Sequence, residues 1–215
     1  MGFSRRNPLA LMVLATLYER PAHPYQVVQI LKERQKDKAA RLNYGSIYAI
    51  VASLEKSGLI EAVSITREGN LPARTTYRAT EAGAEEMRSW LSDLLARPVK
   101  EYPQFMAALS LLVGVSPQEA LRLLTQRAEA LEGLLEKLDA SLGEQAGAFE
   151  VFSVETRYER CLIQADLGFT RSLIEQIASG SLGGSRVWQE IYVEDGRPLT
   201  QRVDEALGGP PPAEA

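Results

Sequence analysis

The apolar positions of this chain recur at helical spacing in its first third and then change period. Leu9, Met12, Val13 and Leu17, with Thr16 between them, share one face of a helix that Asn7 caps and Pro8 begins. Arg20-Pro21-Ala22-His23-Pro24 breaks it, and Pro24 opens a second helix with Tyr25, Val28 and Leu31 turned inward. A third helix is predicted over Tyr44 to Lys56, where Ile47, Val51 and Leu54 repeat at four and three. Gly58 suits the left-handed position that closes a helix. Leu59 to Thr66 and Arg74 to Ala79 then read as strands around a turn, Arg67 to Ala73, and Thr80 caps a fourth helix, Glu81 to Leu95, with Trp90, Leu91 and Leu94 on its apolar side. Three helices, a hairpin and a fourth helix make a helix-turn-helix with a β-hairpin wing.

Past Arg97-Pro98 the pattern is helical again. Tyr102 to Leu112 reads as a short apolar helix, and Ser116 with Glu119 forms a capping box. Leu121, Leu124, Ala128, Leu131, Leu135, Leu138 and Leu142 then alternate spacings of three and four, the seam of a coiled coil. A last long helix, Val154 to Ser179, carries two apolar stripes, Leu162, Ala165, Phe169, Leu173 and Ile163, Leu167, Ile174. A helix apolar on two sides packs against two things, here its antiparallel neighbour and the same pair in a second subunit. Val187 to Val193 reads as a strand, Leu199 to Leu207 as a weak helix, and the proline-rich end as disordered. The expected architecture is therefore mainly α: a winged helix-turn-helix over 1–96, a helical dimerisation and effector domain over 97–182, and a tail of unassigned structure over 183–215.

Charge sharpens this division. The whole chain has a net charge of −4, but residues 1–90 hold 13 Lys and Arg against 9 Asp and Glu, a net of +4, while the rest hold 11 against 19, a net of −8. A basic front and an acidic back orient a molecule toward a polyanion. One cysteine, Cys161, and one histidine, His23, leave no disulfide framework, no structural zinc site and no nucleophile-base arrangement. Cys161 lies in an apolar stretch and reads as a buried thiol; His23 reads as a helix cap. No cofactor, metal or enzymatic activity is expected. No apolar run reaches the ~20 residues of a membrane helix, and the protein reads as cytoplasmic.

The third helix carries small and polar groups where a groove-reading face needs them: Asn43, Tyr44, Ser46, Tyr48, Ala49 and Ser53. Tyr44 and Tyr48 offer hydroxyls to phosphate, or half-buried rings. Lys56 offsets the helix dipole or meets a phosphate. Arg67 and Arg74 flank the wing turn, where arginine reaches a minor groove. Trp90, Trp188, Phe105, Phe149 and Phe169 could floor a pocket for an aromatic effector, or be core.

Tyr44-Gly45-Ser46-Ile47-Tyr48, Leu54-Glu55-Lys56-Ser57-Gly58-Leu59-Ile60, Arg74, Tyr77 and Thr80-Glu81-Ala82-Gly83 resemble the motifs of the PadR family of bacterial transcriptional regulators. The opening Pro8 to Leu14 and Pro24-Tyr25 look like that family's first two helices. The helical remainder is similar to the C-terminal domain of the longer subfamily related to the virulence activator AphA. The resemblance implies a homodimeric repressor or activator, with Tyr44, Ser46, Tyr48 and Arg74 as DNA contacts. The chain departs from the family's usual pattern at Gln26, Ala49, Val51 and Ala79.

The expected function is a homodimeric, sequence-specific regulator, read first as a repressor, that binds an inverted-repeat operator in double-stranded DNA. Leu121, Leu124, Ala128, Leu131, Leu135, Leu138, Leu142, Leu162, Phe169 and Leu173 are expected at the subunit contact, and a small ligand at the helical domain would favour one dimer arrangement. The alternative is a winged-helix module that binds proteins and not DNA.

Overall fold

The computed structural model describes residues 5, 7–34, 36, 42–66, 74–144, 150–192, 199–206 and 208. Its chain forms two compact units, Met1–Glu101 and Tyr102–Ala215.

In the first unit the order is α1 (Pro8–Glu19), α2 (Pro24–Glu33), α3 (Tyr44–Lys56), β1 (Ile60–Thr66), β2 (Arg74–Ala79) and α4 (Glu81–Ala96). Each helix begins on a side-chain cap: Asn7 accepts from the Leu9 N–H, Asn43 from Ser46 and Thr80 from Gly83. Val13, Leu14, Leu17, Val27, Ile47, Leu54 and Ile60 are sealed in one core with Trp90. The strands pair antiparallel with an irregularity between Ala62 and Ser64. The α1–α2 connection adds a third rung: Ala22 and Tyr77 exchange both backbone hydrogen bonds at 3.0 Å. Arg5 forks onto Glu86 and Asp93 of α4, holding the Glu86 carboxyl below the usual carboxylate range by a direct hydrogen bond. Tyr25, expected inside, is 52% exposed because Val27, Val28, Ile30 and Leu31 already fill the inner face of α2.

The first turn of α4 lies close against the backbone that leaves α3. α3 ends in a Schellman turn, with Gly58 at φ 70° and the Leu59 N–H on Leu54 O at 3.0 Å. Leu59 O accepts from the Thr80 N–H at 3.0 Å, and Thr80 Oγ1 donates to Gly58 O at 2.8 Å. α4 comes so close that a Cβ on Gly83 would lie 1.9 Å from the Leu59 carbonyl oxygen.

The second unit runs α5 (Gln104–Leu109), a 3-10 turn (Leu112–Gly114), α6 (Pro117–Glu144), a second 3-10 turn (Glu150–Phe152), α7 (Val154–Ser179), α8 (Ser185–Ile191) and α9 (Leu199–Ala206). The expected helix over 102–112 is thus a shorter helix and a 3-10 turn. α6 and α7 form an antiparallel hairpin, and the heptad seam is consumed inside it. Leu124 packs with Leu173, and Ala128 and Leu131 pack with Leu167. Leu124, Ala128, Leu131, Leu138 and Leu173 are all buried within the one chain, and Leu121, Leu135 and Leu142 are half-buried. Within the one chain the seam therefore faces α7, while Leu121, Leu135 and Leu142 keep part of their surface open. Leu162 and Phe169, on the other stripe of α7, remain 53% and 51% exposed. Cys161 is likewise exposed and not buried, because it lies on that outer side.

The predicted strand at Val187 to Val193 is instead helical over Ser185–Ile191. Its β-branched and aromatic residues suggested extended chain, but Trp188 and Ile191 sit three apart and bury one helical face. Trp188 Nε1 donates to Val115 O at 2.8 Å and the Tyr192 hydroxyl to Val113 O at 2.9 Å, so this segment closes the core of the unit rather than trailing from it. The proline-rich end lies outside the described residues.

Replacing Gly83 with Ala should destabilise the first unit by about 2–3 kcal/mol through overpacking, against the ~1 kcal/mol that Ala gains over Gly inside a helix. Urea unfolding followed by Trp90 fluorescence in a Trp188→Phe background checks this. Leu131→Lys should cost the second unit about 3–5 kcal/mol by burying an unpaired charge, read as loss of its helical circular dichroism at lower urea.

Candidate nucleic-acid interface

The inner arc of α3 is spent on Ile47, Ile50, Val51 and Leu54, which leaves Tyr44, Gly45, Tyr48, Ala49, Ala52, Ser53, Glu55 and Lys56 on the outer arc, all exposed. Tyr44 is 40% and Tyr48 48% exposed. A short helix with small residues between two tyrosines can approach a groove closely, and its N-terminal turn favours anions.

α2 supports this surface from the side. The Tyr25 ring stacks on Tyr44, with 5.5 Å between centroids and 14° between planes. Lys32 Nζ lies 5.4 Å from the centre of the Tyr44 ring, and Gln29 Nε2 donates to the Tyr44 hydroxyl at 3.2 Å. Tyr44 is therefore held on three sides while its edge stays open, and Tyr25, Gln29 and Lys32 join the candidate surface. Sequence reasoning missed them, although their spacing of four and three marks one helical face.

The other expected positions divide. Asn43 caps α3, its Oδ1 accepting from the Ser46 N–H at 2.6 Å, so that acceptor is already engaged; Ser46 is half-buried behind it. Tyr48, Ala49, Ser53 and Lys56 face outward, and Arg74 is exposed at the start of β2. Arg67 lies outside the described residues. Glu55 introduces a carboxylate that the sequence reading passed over. It lies beside the Tyr77 hydroxyl, whose pKa is raised first by burial and then by that charge.

His23 sits where α2, α3 and β2 meet. Its Nδ1 accepts from the Tyr25 N–H at 3.1 Å and Gln26 Oε1 accepts from its own N–H at 2.9 Å, which confirms the expected cap. Its ring meets Tyr48 edge-on, 6.2 Å between centroids. Burial, and then the charge of Arg74, push its pKa below the ordinary imidazole value.

Of the aromatic residues considered for an effector pocket, Trp90 is sealed in the first unit's core and Trp188 in the second's, and Phe149 lies outside the described residues. Phe105 and Phe169 do meet, edge to face at 6.4 Å, with the Arg127 guanidinium 3.6 Å above the Phe105 ring and paired to Asp166. Among the described residues no three His, Cys, Asp or Glu are grouped to hold a metal ion, and no helix is long and apolar enough to cross a membrane.

Residues 13–89 match the model of the transcriptional regulator PadR-like family, a span that takes in α3, the wing and the Thr80-Glu81-Ala82-Gly83 motif. No curated protein matches the chain in sequence. Solved structures share its fold. Bacillus subtilis PadR in complex with operator DNA aligns with a TM-score of 0.63 at 19% identity, covering 80% of this chain and 99% of that one. Bacillus subtilis PadR in complex with p-coumaric acid aligns at 0.64 and 18%, covering 79% and 98%. A fainter likeness, TM-score 0.47 at 18% identity over 80% of this chain and 94% of that one, runs to the Vibrio cholerae virulence activator AphA.

Proposed function

We propose that this PadR-like chain is a homodimeric regulator of transcription that reads an inverted-repeat operator with α3 and steadies itself on the backbone with α2 and the wing. The observation that carries this is the outer arc of α3: an exposed, small-residue helix face braced by Tyr25, Gln29 and Lys32, with no role in the core. The PadR-like family match over residues 13–89 and the fold shared with a PadR bound to operator DNA support it. Repression follows from occupancy of a promoter. A regulator of this kind works without catalysis and inside the cytoplasm.

The subunit contact in this reading shifts from the heptad seam to the outer side of the α6–α7 hairpin. One side of that hairpin is closed by the ion pairs Arg160–Asp139 and Arg171–Glu132. The other shows Tyr158, Leu162 and Phe169 of α7 and Leu123 and Leu134 of α6, each more than 40% exposed. Arg127, four residues past Leu123, reaches Asp166 on this same side, as its stack under Phe105 and the contact of Phe105 with Phe169 indicate. Bringing two such faces together removes apolar surface from water at about 25 cal/mol per Å². A small effector at the helical unit belongs to the same reading, supported by the p-coumaric acid complex of the similar PadR fold; the Phe105–Arg127–Phe169 cluster is where an aromatic acid would act.

Half-sites of a two-fold dimer should be centred ~34–36 Å apart or a multiple of it. Tyr48→Ala should weaken binding to duplex from the chain's own upstream region by about tenfold, the worth of one hydrogen bond to a charged group, with the fold intact by circular dichroism. Wild-type affinity should fall with log salt at a slope of about −0.9 per neutralised phosphate. Gel-shift titration measures both, and absence of selective binding at low salt would favour the protein-interaction module instead. Phe169→Glu should turn the dimer into a folded monomer in sedimentation equilibrium; a variant that still sediments as a dimer would place the contact elsewhere.

A further inference from the structure

A helix capped by imidazole is unlike one capped by Ser, Thr, Asn or Asp. The acceptor is a ring nitrogen, and it accepts only while it carries no proton. His23 is the single histidine of the chain, and its Nδ1 holds the Tyr25 N–H at the start of α2. Four groups face this ring: Tyr25 and Gln26 from its own helix, Tyr48 from α3, and Arg74 from β2. None of these four is a carboxylate that could steady an imidazolium where the ring lies.

A proton on Nδ1 would set a donor against the Tyr25 donor. It would also bring a cation to the positive end of α2 and close to Arg74. All three effects oppose the charged ring in its present place. To take up a proton the ring must swing off the Tyr25 N–H and off the edge of Tyr48. Tyr25 and Tyr48 are both part of the surface assigned above, Tyr25 through its stack on Tyr44.

We propose that His23 is a proton-sensitive positioning residue of the nucleic-acid surface: unprotonated, it ties the first turn of α2 to the Tyr48 ring, and on protonation it releases both, so that affinity for DNA falls in mild acid. This rests on the assignment of α3 and the wing as the DNA-reading surface. The linkage runs in one direction. The folded-state pKa lies below the ordinary ~6.5, so the stabilisation by the cap is full above that value and is lost as pH falls through the lowered one. A nearby DNA phosphate acts oppositely, since it favours imidazolium and would strengthen binding in acid. The two effects give opposite slopes of affinity against pH.

The experiment is fluorescence anisotropy of the full chain with a labelled duplex from its own upstream region, at pH 7.5 and 5.5 and constant ionic strength. It is paired with an NMR titration of the one imidazole Cε1–H signal. Wild-type affinity should weaken by about fivefold at the lower pH, the equilibrium equivalent of one lost cap. The imidazole should titrate below the ordinary value, and lower still with DNA bound. His23→Asn, which caps through an uncharged oxygen, should bring the ratio of the two affinities close to one. Equal or tighter wild-type binding at pH 5.5, or the same slope in His23→Asn, overturns the inference while leaving the DNA reading in place. Absence of selective binding even at pH 7.5 and low salt overturns the DNA reading itself, and this inference with it.

Discussion

The first unit depends on one close approach, that of the first turn of α4 to the backbone leaving α3. Gly83 leaves room for the Leu59 carbonyl where any side chain would collide with it, and Thr80 ties both sides together through its backbone N–H and its hydroxyl. Because β1 begins at Ile60 and β2 ends at Ala79, the same few atoms fix the end of α3, the root of the wing and the start of α4. Hydrogen bonds to backbone carbonyls set distance and direction, whereas apolar burial sets only proximity. The core can thus be filled by ordinary Leu, Ile and Val while the angle at which α3 is presented is governed by this contact.

From that anchor the candidate surface follows as a set of braces. Tyr44 is stacked, charged over one face and hydrogen-bonded from α2, and Tyr48 leans on His23, which in turn caps α2 beside the wing. The Ala22–Tyr77 bridge draws the α1–α2 connection onto β2, which brings His23 within reach of Arg74. A surface made from three elements in this way is preorganised, so less side-chain freedom is lost when it meets a ligand.

The second unit solves a different problem. Two long helices with apolar stripes can pair with each other or with copies of themselves, and the shorter loop closure favours the partner in the same chain. The inner stripes of α6 and α7 are therefore used within the hairpin, and α8 closes its end through Trp188 and Tyr192. The stripe through Tyr158, Leu162 and Phe169 is left exposed by this pairing.

Much of this was legible in the chain. The bounds of α3, β2 and α7 follow from caps, glycine and periodicity, because these are local interactions that a segment carries with it. The PadR-like motif over residues 13–89 was likewise readable from Tyr44 to Gly83. Local pattern could not say that Tyr25 faces out, that Val187 to Ile191 is helical, or which residues of α7 the heptad seam packs on. It also could not say why Gly83 must be glycine or that His23 lies against Tyr48 and Arg74. Each of those turns on which partner, distant in sequence, reaches a residue first, and a helical stripe records only that a partner exists. The sequence by itself determined the bounds of the strongly capped and periodic elements, α3, β2 and α7, and marked their apolar stripes; the tertiary structure decided what each face meets, because burial is non-directional and only the packed fold assigns it a neighbour.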